Sequence, residues 1–169
     1  MAIPSNLRKV IPPPMKLILI AALTRNRVIG KDRAVPWDLP EDMQRFKSLT
    51  TGHVVLMGRG TYDALSTPLT NRRNIVITSN EIQGVETYGT IAKALEAVKN
   101  EGTVYVIGGG QIFAQLITSA AELRLTLVEQ EVDGDTFFPP YEHLVGSLFR
   151  LVSTERHNGF SFVDYERIE

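Results

Sequence analysis

The feature that most constrains the fold is an apolar run, residues 103–107, that leads directly into three consecutive glycines, residues 108–110. Because the run has no polar face, it is typical of a central strand covered on both sides. The residues that follow, 111–113, begin a helix. A strand that passes through glycines into a helix is characteristic of α/β proteins and offers backbone N–H groups to an anion. The spacing is not G-x-G-x-x-G, since residue 113 is Phe, and this disfavours a standard Rossmann domain.

Strands and helices alternate along most of the remaining chain. The last two predicted strands are joined at Asn158-Gly159, which is a strong hairpin signal. We therefore expect one α/β domain with a central, mostly parallel, twisted sheet of about eight strands, an antiparallel C-terminal hairpin and four flanking helices. The predicted strands are 17–23, 54–57, 75–78, a short one around 85, 103–107, 122–128, 149–156 and 160–168. The predicted helices are 39–50, one from 58 through 65, 91–99 and one that follows the three glycines.

Composition excludes several classes of site. The length of 169 residues suits one domain with a single substantial core. The formal net charge is −1 and no run of Lys or Arg exceeds two residues, which argues against nucleic-acid binding. There are no cysteines, so disulfides, thiol nucleophiles and cysteine-ligated metals are excluded. The three histidines are scattered without the spacing of metal ligands, and we expect no metal site.

The N-terminal region divides into two parts. Residues 1–14 contain four prolines and few apolar residues, and we expect a flexible extension that precedes a domain over residues 15–169. The apolar run at 17–23 resembles a signal peptide, but it is short and no small-residue cleavage site follows, which favours a buried strand. No apolar run approaches the roughly 20 residues that span a bilayer. We expect a cytoplasmic protein without a membrane segment.

Residues 34–47 combine a rigid entry, an aromatic side chain and an acid. Pro36 and Pro40 restrict the chain around Trp37, and proline is well tolerated in the first turn of a helix. Asp42 lies on the border of the apolar face of that helix. The members of this face are Leu39, Met43 and Phe46. Acids in a first turn usually stabilise the helix dipole, so by itself Asp42 has a structural and a functional interpretation.

Other candidate positions are weaker. Gly58-Arg59-Gly60-Thr61 opens a helix after a buried strand, and the pattern suits a phosphate site. The arginine pair at residues 72–73 would usually be solvated, and Thr126 would usually be packed or bonded to backbone. Residues 25–33 have the composition of a plain connecting loop. Residues 133–136 are a turn signal, which residues 137–140 close.

Several short motifs, each weak alone, occur in one order over residues 15–169. They are Ile20-Ala21-Ala22, Val28-Ile29-Gly30, Pro36-Trp37-Asp38-Leu39-Pro40 with Asp42 and Phe46-Lys47, Met57-Gly58-Arg59 with Thr61, Pro68-Leu69, Arg72-Arg73-Asn74, Ile107-Gly108-Gly109-Gly110, Leu125-Thr126, and Gly134-Asp135-Thr136 with Phe138-Pro139. Together they resemble the dihydrofolate reductase family of the bacterial chromosomal type. The resemblance implies that NADPH reduces 7,8-dihydrofolate to tetrahydrofolate by hydride transfer to C6 and protonation of N5.

The resemblance also implies roles on the substrate side. Asp42 would bind the amino group and the ring N–H of the pterin, Thr126 would bond to both partners, and Trp37 would lie near the water that protonates N5. A planar guanidinium suits a carboxylate, and Arg72 would pair with the α-carboxylate of the substrate's glutamate. The walls of the pterin and benzoyl pocket would be Ile20, Phe46, Leu69 and Ile107.

On the cofactor side the resemblance implies contacts from five regions of the chain. The residues are Ala22, Ile29, Gly30, Gly58, Arg59, Thr61, Thr78, Ser79, Gly109, Gly110, Gln111, Ile112 and Thr136. Residues 25–35 resemble the family's lid, in which Val35 packs and to whose backbone Asp135 bonds. Two positions depart from the family: Gly60 and Gln111 stand where basic residues are common. We therefore expect Arg59 to carry more of the preference for NADPH.

Two alternatives remain open. The pyrimidine reductase of riboflavin synthesis has a similar scaffold and also uses NADPH, but it has no evident need for Trp37, Asp42 and Arg72 at these positions. A non-catalytic NADPH-binding protein derived from the reductase is the second. A dihydrofolate reductase would have small-molecule partners, namely dihydrofolate and antifolate-type compounds, and we expect a monomer because no coiled-coil seam is visible.

Overall fold

The computed structural model describes residues 15–31 and 37–168. The strands in this part of the chain are β1 (Lys16–Thr24), β2 (Val28–Gly30), β3 (Val54–Gly58), β4 (Arg73–Ile77), β5 (Glu86–Tyr88), β6 (Thr103–Gly108), β7 (Glu122–Val128), β8 (Thr136–Phe137), β9 (Phe149–His157) and β10 (Phe160–Arg167). The α-helices in the same residues are α1 (Pro40–Thr50), α2 (Arg59–Leu65), α3 (Ile91–Ala97) and α4 (Gly110–Leu116). Short 3-10 turns occupy Ile117–Ser119 and Glu142–Leu144.

Eight strands form one sheet in the order β5-β4-β3-β6-β1-β7-β10-β9. Strand β1 lies inside the sheet and pairs in parallel with β6 and β7. Strand β10 is antiparallel to both β7 and β9. The sheet is therefore mostly parallel with an antiparallel C-terminal hairpin, and the α/β fold predicted from the sequence is confirmed.

Local signals explain where several elements begin and end. Helix α1 has Pro40 in its first turn, where a missing N–H costs no hydrogen bond. Helix α3 follows Thr90, whose hydroxyl oxygen accepts a hydrogen bond from the N–H of Lys93 at 3.2 Å. This helix ends at Ala97, two residues before the predicted end, because Val98 leaves the helical conformation with φ −113°. The tight turn between β9 and β10 uses Gly159 at φ +88°.

Alternate residues of the central strands supply a core on each face of the sheet. One face carries the larger cluster, which includes Leu17, Leu19, Leu23, Leu123, Leu125, Phe113 and Phe149. The opposite face carries a smaller buried cluster, Ile18, Ile20, Val55, Met57, Val76 and Tyr105. Phe46, Leu69 and Ile107 pack against the smaller cluster and are only partly buried. This second face therefore has an apolar surface that is not fully covered by the described residues.

Two regions expected to be loop and turn instead pair with each other. Strand β2 lies within the predicted connector at residues 25–33, and β8 lies within the predicted turn region at 133–140. Val28 pairs with Phe137 and Gly30 with Thr136 in an antiparallel ribbon. Strands of two and three residues are too short to show a periodic pattern, which is why sequence reasoning missed them.

Within residues 15–31 and 37–168, none of the helices combines the length and the apolar character needed to cross a lipid bilayer.

Candidate active site

Asp42 and Thr126 meet at the edge of the smaller apolar cluster. Asp42 lies in the first turn of α1, and the Thr126 hydroxyl donates a hydrogen bond to its Oδ1 at 2.5 Å. Thr126 is 2% exposed, so the carboxylate is held by a group that has little freedom to move. Burial raises the pKa of Asp42, while the Thr126 hydrogen bond and the positive charge of Arg45 act in the opposite direction.

The position of Thr126 is set by the sheet on both sides. Strand β7 lies between β1 and β10, and Thr126 is paired with Ala22 on one neighbour and Phe162 on the other. A residue held between two strands is well suited to fix a partner on a helix. An acid that only stabilises the start of its helix would not need a buried partner from another element. The bond from Thr126 therefore favours the functional interpretation of Asp42.

The apolar wall beside Asp42 combines a residue of α1 itself with residues from β1, β6 and a loop. Ile20 is buried in β1, and Phe46 of α1, Leu69 of the loop and Ile107 of β6 are partly buried in the same cluster. Leu69 is in a loop, but its backbone is held by Asn74, whose amide oxygen accepts from the Leu69 N–H at 2.8 Å and whose amide nitrogen donates to its carbonyl at 2.8 Å. Asn74 is a positioning residue that sequence reasoning did not assign.

Arg72 lies next to this wall with its guanidinium oriented by two hydrogen bonds. Its Nε donates to the Thr70 carbonyl at 2.9 Å and its Nη1 to the Thr50 hydroxyl at 3.0 Å. The guanidinium carbon is 6.0 Å from the centre of the Phe46 ring. Burial lowers the pKa of Arg72. The neighbouring Arg73 is also paired, with Glu86 and Glu101.

The three glycines form a second region, where two parallel strands end side by side. Met57 in β3 is in register with Gly108 in β6, and the strands lead into α2 and α4. Both helices are capped by glycine, Gly58 and Gly109, and neither has a side-chain cap. Among residues 15–31 and 37–168, the first backbone N–H groups of both helices therefore have no capping side chain as acceptor.

Side chains around the glycines leave little space on one side. A Cβ on Gly108 would lie 3.1 Å from the Thr61 hydroxyl oxygen, and one on Gly109 would lie 3.5 Å from it. A Cβ on Gly110 would be 2.5 Å from the carbonyl oxygen of Phe137 in β8. At Gly60, by contrast, no atom from another part of the described chain lies within 4 Å of the Cβ position. The ribbon formed by β2 and β8 therefore packs directly on the start of α4.

The remaining predicted cofactor residues are distributed around this region. Ile29, Gly30 and Thr136 are together in the β2–β8 ribbon, and the N–H of Asp135 donates to the Gly30 carbonyl at 3.2 Å. Ile112 is buried in α4, whereas Gln111 is exposed. Thr78 and Ser79 follow β4, and Val35 lies outside the described residues.

Arg59 differs from the other cations because its partner is on its own helix. Its Nε donates to Asp63 Oδ1 at 2.9 Å, one turn later in α2. Both side chains are substantially exposed. The guanidinium is close to the start of α2 but is already paired with a carboxylate.

A group of charged residues beneath α1 was missed by sequence reasoning. Asp164 in β10 accepts hydrogen bonds from Arg45 at 2.6 Å, Arg124 at 2.9 Å and Ser153 at 3.1 Å. The available signal was the alternation in β7 and β10, which puts Arg124 with Thr126 and Asp164 with Phe162 on one face of each strand. These residues share the face of the sheet on which Asp42 lies.

Comparisons with known proteins agree over nearly the whole chain. The family model of dihydrofolate reductase matches residues 16–167. Dihydrofolate reductase HdrB of Haloferax volcanii is 38% identical over 168 residues, which cover 90% of this chain and 84% of that protein. Dihydrofolate reductase of Bacillus subtilis (strain 168) is 39% identical over 140 residues, covering 81% of this chain and 82% of that protein.

A solved structure has a similar fold. Dihydrofolate reductase from Enterococcus faecalis, complexed with NADP(H) and RAB-propyl, superposes with a TM-score of 0.82 at 30% identity. The match covers 91% of this chain and 97% of that chain. The sequence and the fold together show that this chain belongs to the dihydrofolate reductase family of NADPH-dependent oxidoreductases.

Proposed function

We propose that this protein reduces 7,8-dihydrofolate to 5,6,7,8-tetrahydrofolate with NADPH as the reductant. The observation that most strongly supports this is the Asp42 carboxylate, held by Thr126 at the border of a partly open apolar surface. A pterin has an apolar ring and an edge with two adjacent N–H donors. A fixed carboxylate beside an apolar wall is complementary to both features.

Asp42 orients the substrate rather than delivering a proton to N5. Its two oxygens accept from the pterin amino group and the adjacent ring N–H, which are on the side of the ring away from N5. Thr126 limits the rotation of the carboxylate through the bond to Oδ1. Since small misplacements of a reacting carbon are costly, this restriction favours hydride transfer to C6. We propose that a water near Trp37 supplies the N5 proton.

Arg72 binds the far end of the substrate. Its bonds to the Thr70 carbonyl and the Thr50 hydroxyl restrict the guanidinium, and its position beside Phe46 lies along the same apolar wall as Leu69. A restrained fork loses less conformational entropy when it forms two bonds with a carboxylate. We propose that this carboxylate is the α-carboxylate of the glutamate.

The glycine region has the features that a dinucleotide requires. The uncapped N–H groups at the starts of α2 and α4, together with the Thr61 hydroxyl, are donors for a pyrophosphate. We propose that Arg59, Thr78 and Ser79 bind the 2′-phosphate. Ala22, Ile29 and Gly30 would hold the nicotinamide and its ribose. When bound there, NADPH supplies the hydride.

We further propose that residues 15–169 act as one reductase domain and that the protein is a monomer. Sedimentation equilibrium of the full chain, with and without NADPH, measures the second point. A mass near 18.8 kDa is expected, and a mass of twice that value would contradict it.

The test of the function is the loss of NADPH absorbance when dihydrofolate is added to the purified chain. Oxidation that depends on dihydrofolate supports the proposal. A matched reaction contains the pyrimidine substrate of riboflavin synthesis instead. Oxidation in that reaction alone would identify the pyrimidine reductase. Binding of NADPH without oxidation in either reaction would identify a non-catalytic protein.

A further inference from the structure

Among the described residues, two side-chain hydrogen bonds tie α1 to the face of the sheet beneath it. One joins Asp42 to Thr126, and the other joins Arg45 to Asp164. Arg45 is three residues after Asp42, so both side chains project from the same side of the helix. Its Nη2 is 2.6 Å from Asp164 Oδ1, and its guanidinium carbon is 4.4 Å from the centre of the Phe162 ring. The second link therefore combines an ion pair with a cation–π contact.

The sheet beneath these links has a simple register. Thr126 in β7 is opposite Phe162 in β10, and Arg124 is opposite Asp164. Asp164 is in turn opposite Ser153 in β9. The residues that receive α1 are thus consecutive members of one face, two positions apart on each strand. A shift of Arg45 along β10 would be accompanied by a shift of Asp42 along β7.

Asp164 is the fixed point of this arrangement. It is 8% exposed, and its two oxygens accept from Arg45, Arg124 and Ser153, which are on three different elements. A buried carboxylate with several donors has little freedom to move. The Arg45 guanidinium, held by Asp164 and packed on Phe162, is restricted as well.

This inference rests on the proposed function only in taking Asp42 as the pterin ligand. The geometry of Arg45 and Asp164 is independent of it. We propose that Arg45 is a positioning residue for Asp42: held by Asp164, it fixes the first turns of α1 over β7 and keeps a positive charge beside the Asp42 carboxylate. The class of ligand served is therefore a substrate edge with paired N–H donors, recognised by an oriented carboxylate.

Charged and titratable groups on this side of the sheet come from α1 and five strands. They include Asp42 and Arg45 in α1, Glu122 and Arg124 in β7, Asp164 and Glu166 in β10, Arg150, Glu155 and His157 in β9, Lys16 in β1 and Tyr105 in β6. Arg45 is the cation that opposes the effect of burial on the pKa of Asp42. Removal of the Arg45 charge should therefore raise the pKa of Asp42, and removal of the Asp164 charge should lower it.

The test is a pH titration of Asp42 in the ligand-free full chain. It is monitored by NMR of protein labelled with ¹³C at the aspartate carboxyl carbons. The Asp42 signal is identified by its absence from Asp42→Asn. In Arg45→Met, which keeps an unbranched stem, the pKa of Asp42 should rise because the nearby positive charge is lost. In Asp164→Asn, the amide oxygen can still accept from Arg45 and hold it in place, while the competing negative charge is gone, so the pKa of Asp42 should fall. The control, Arg150→Met, removes an exposed pair with Glu166 and should leave the titration unchanged.

The titration is independent of turnover, so the two proposals fail separately. Absence of dihydrofolate reduction by the wild type would contradict the proposed function and leave the NMR result valid. An unchanged Asp42 titration in Arg45→Met, or shifts of the same sign in both variants, would overturn the role of Arg45. If Arg45→Met does not fold, Asp164→Asn decides alone: a lower pKa supports the proposal, and an unchanged or higher one overturns it.

Discussion

The two halves of the site are built from different parts of the chain. On the Asp42 side, the polar groups are side chains, and each is held by a residue from another element, as Asp42 is by Thr126 and Arg45 by Asp164. On the glycine side, the donors are mainly backbone N–H groups, and the nearby cation Arg59 is bonded to Asp63 of its own helix. On the Asp42 side, contacts between elements fix the charged groups. On the glycine side, packing fixes the backbone, while the exposed Arg59 charge is loosely held, because its partner is on its own helix.

The difference follows from the cost of burial. A carboxylate removed from water requires partners, so the Asp42 side needs side chains brought together from distant parts of the sequence. Backbone N–H groups at a helix start are already polarised and need no partner before a ligand binds. Substitutions on the first side should therefore change chemistry and titration, and those on the second should change shape and affinity.

The largest effect is expected for Asp42→Asn. An amide cannot accept from two adjacent N–H donors as a carboxylate does, so the pterin loses its orientation. Turnover at neutral pH should fall by about 10²–10⁴-fold. Part of the loss should be recovered at acid pH, where substrate is already protonated. Steady-state rates of NADPH oxidation across pH measure this, and a variant with the wild-type rate would contradict the role of Asp42.

The same variant should be at least as stable as the wild type, although its turnover is lower. Because burial raises the folded-state pKa of Asp42 above its unfolded value, its favourable contribution is complete below the unfolded pKa and is lost as pH rises through the folded pKa. The amide has no charge to bury. Thermal unfolding at pH 7 should thus give Asp42→Asn a Tm at least as high as that of the wild type, and the difference should narrow in acid. A lower Tm at pH 7 would show that the charge stabilises the fold.

The contrast between the two halves also explains what the sequence could predict. The glycine region is encoded within a few residues, so the strand at 103–107 and the helix after it were visible as an apolar run and a glycine cluster. The C-terminal hairpin was visible for the same reason, in Asn158-Gly159. The roles of single side chains at the site came from the resemblance rather than from the residues alone.

The Asp42 side depends on contacts between residues far apart in the chain. Arg45 and Asp164 are separated by 119 positions, and no local sequence pattern couples an arginine on a helix to an acid on a distant strand. The β2–β8 ribbon presents the same difficulty with strands of three and two residues. Local propensity predicts elements, whereas such contacts depend on the assembled sheet.

On the glycine side, the test of shape is Gly110→Ala. The added Cβ would lie 2.5 Å from the Phe137 carbonyl oxygen, so β8 must move away from α4. We expect a loss of about 1–3 kcal/mol in the free energy of unfolding and weaker NADPH binding. Urea unfolding and fluorescence titration with NADPH measure the two effects.

The matched control is Gly60→Ala, where nothing lies within 4 Å of the added Cβ. In a helix, alanine is favoured over glycine by about 0.5–1 kcal/mol, so this variant should be slightly more stable than the wild type. Equal destabilisation by both substitutions would mean that the contact with Phe137 has no special importance.

The next effect is expected at Arg72, on the Asp42 side. Lysine keeps the charge of Arg72 but cannot present a planar fork, and it cannot bond to both Thr70 and Thr50 in the same way. Arg72→Lys should raise KM for dihydrofolate about tenfold with little change in kcat. Arg73→Lys, which alters the neighbouring pairs with Glu86 and Glu101, should leave KM unchanged. A similar rise in both variants would indicate a general effect of the loop.

The smallest effects are expected for Arg59, because its charge is exposed and already paired. Arg59→Ala should weaken NADPH binding about fivefold and leave NADH binding nearly unchanged, since only NADPH has the 2′-phosphate. Dissociation constants from fluorescence titration with both nucleotides give the ratio. Equal losses for NADPH and NADH would contradict the assignment of Arg59 to the phosphate.

Asp63→Asn examines the loosely held charge from the other direction. Asp63 accepts from Arg59 Nε at 2.9 Å, so an amide at this position leaves the guanidinium with more of its charge uncompensated. NADPH should then bind about twofold more tightly, and NADH binding should be unchanged. Such a gain would show that the cofactor half of the site can be strengthened by a single exposed residue. Asp164→Asn is the counterpart on the Asp42 side: its amide oxygen can still accept from Arg45, so the guanidinium stays in place while its charge is less compensated.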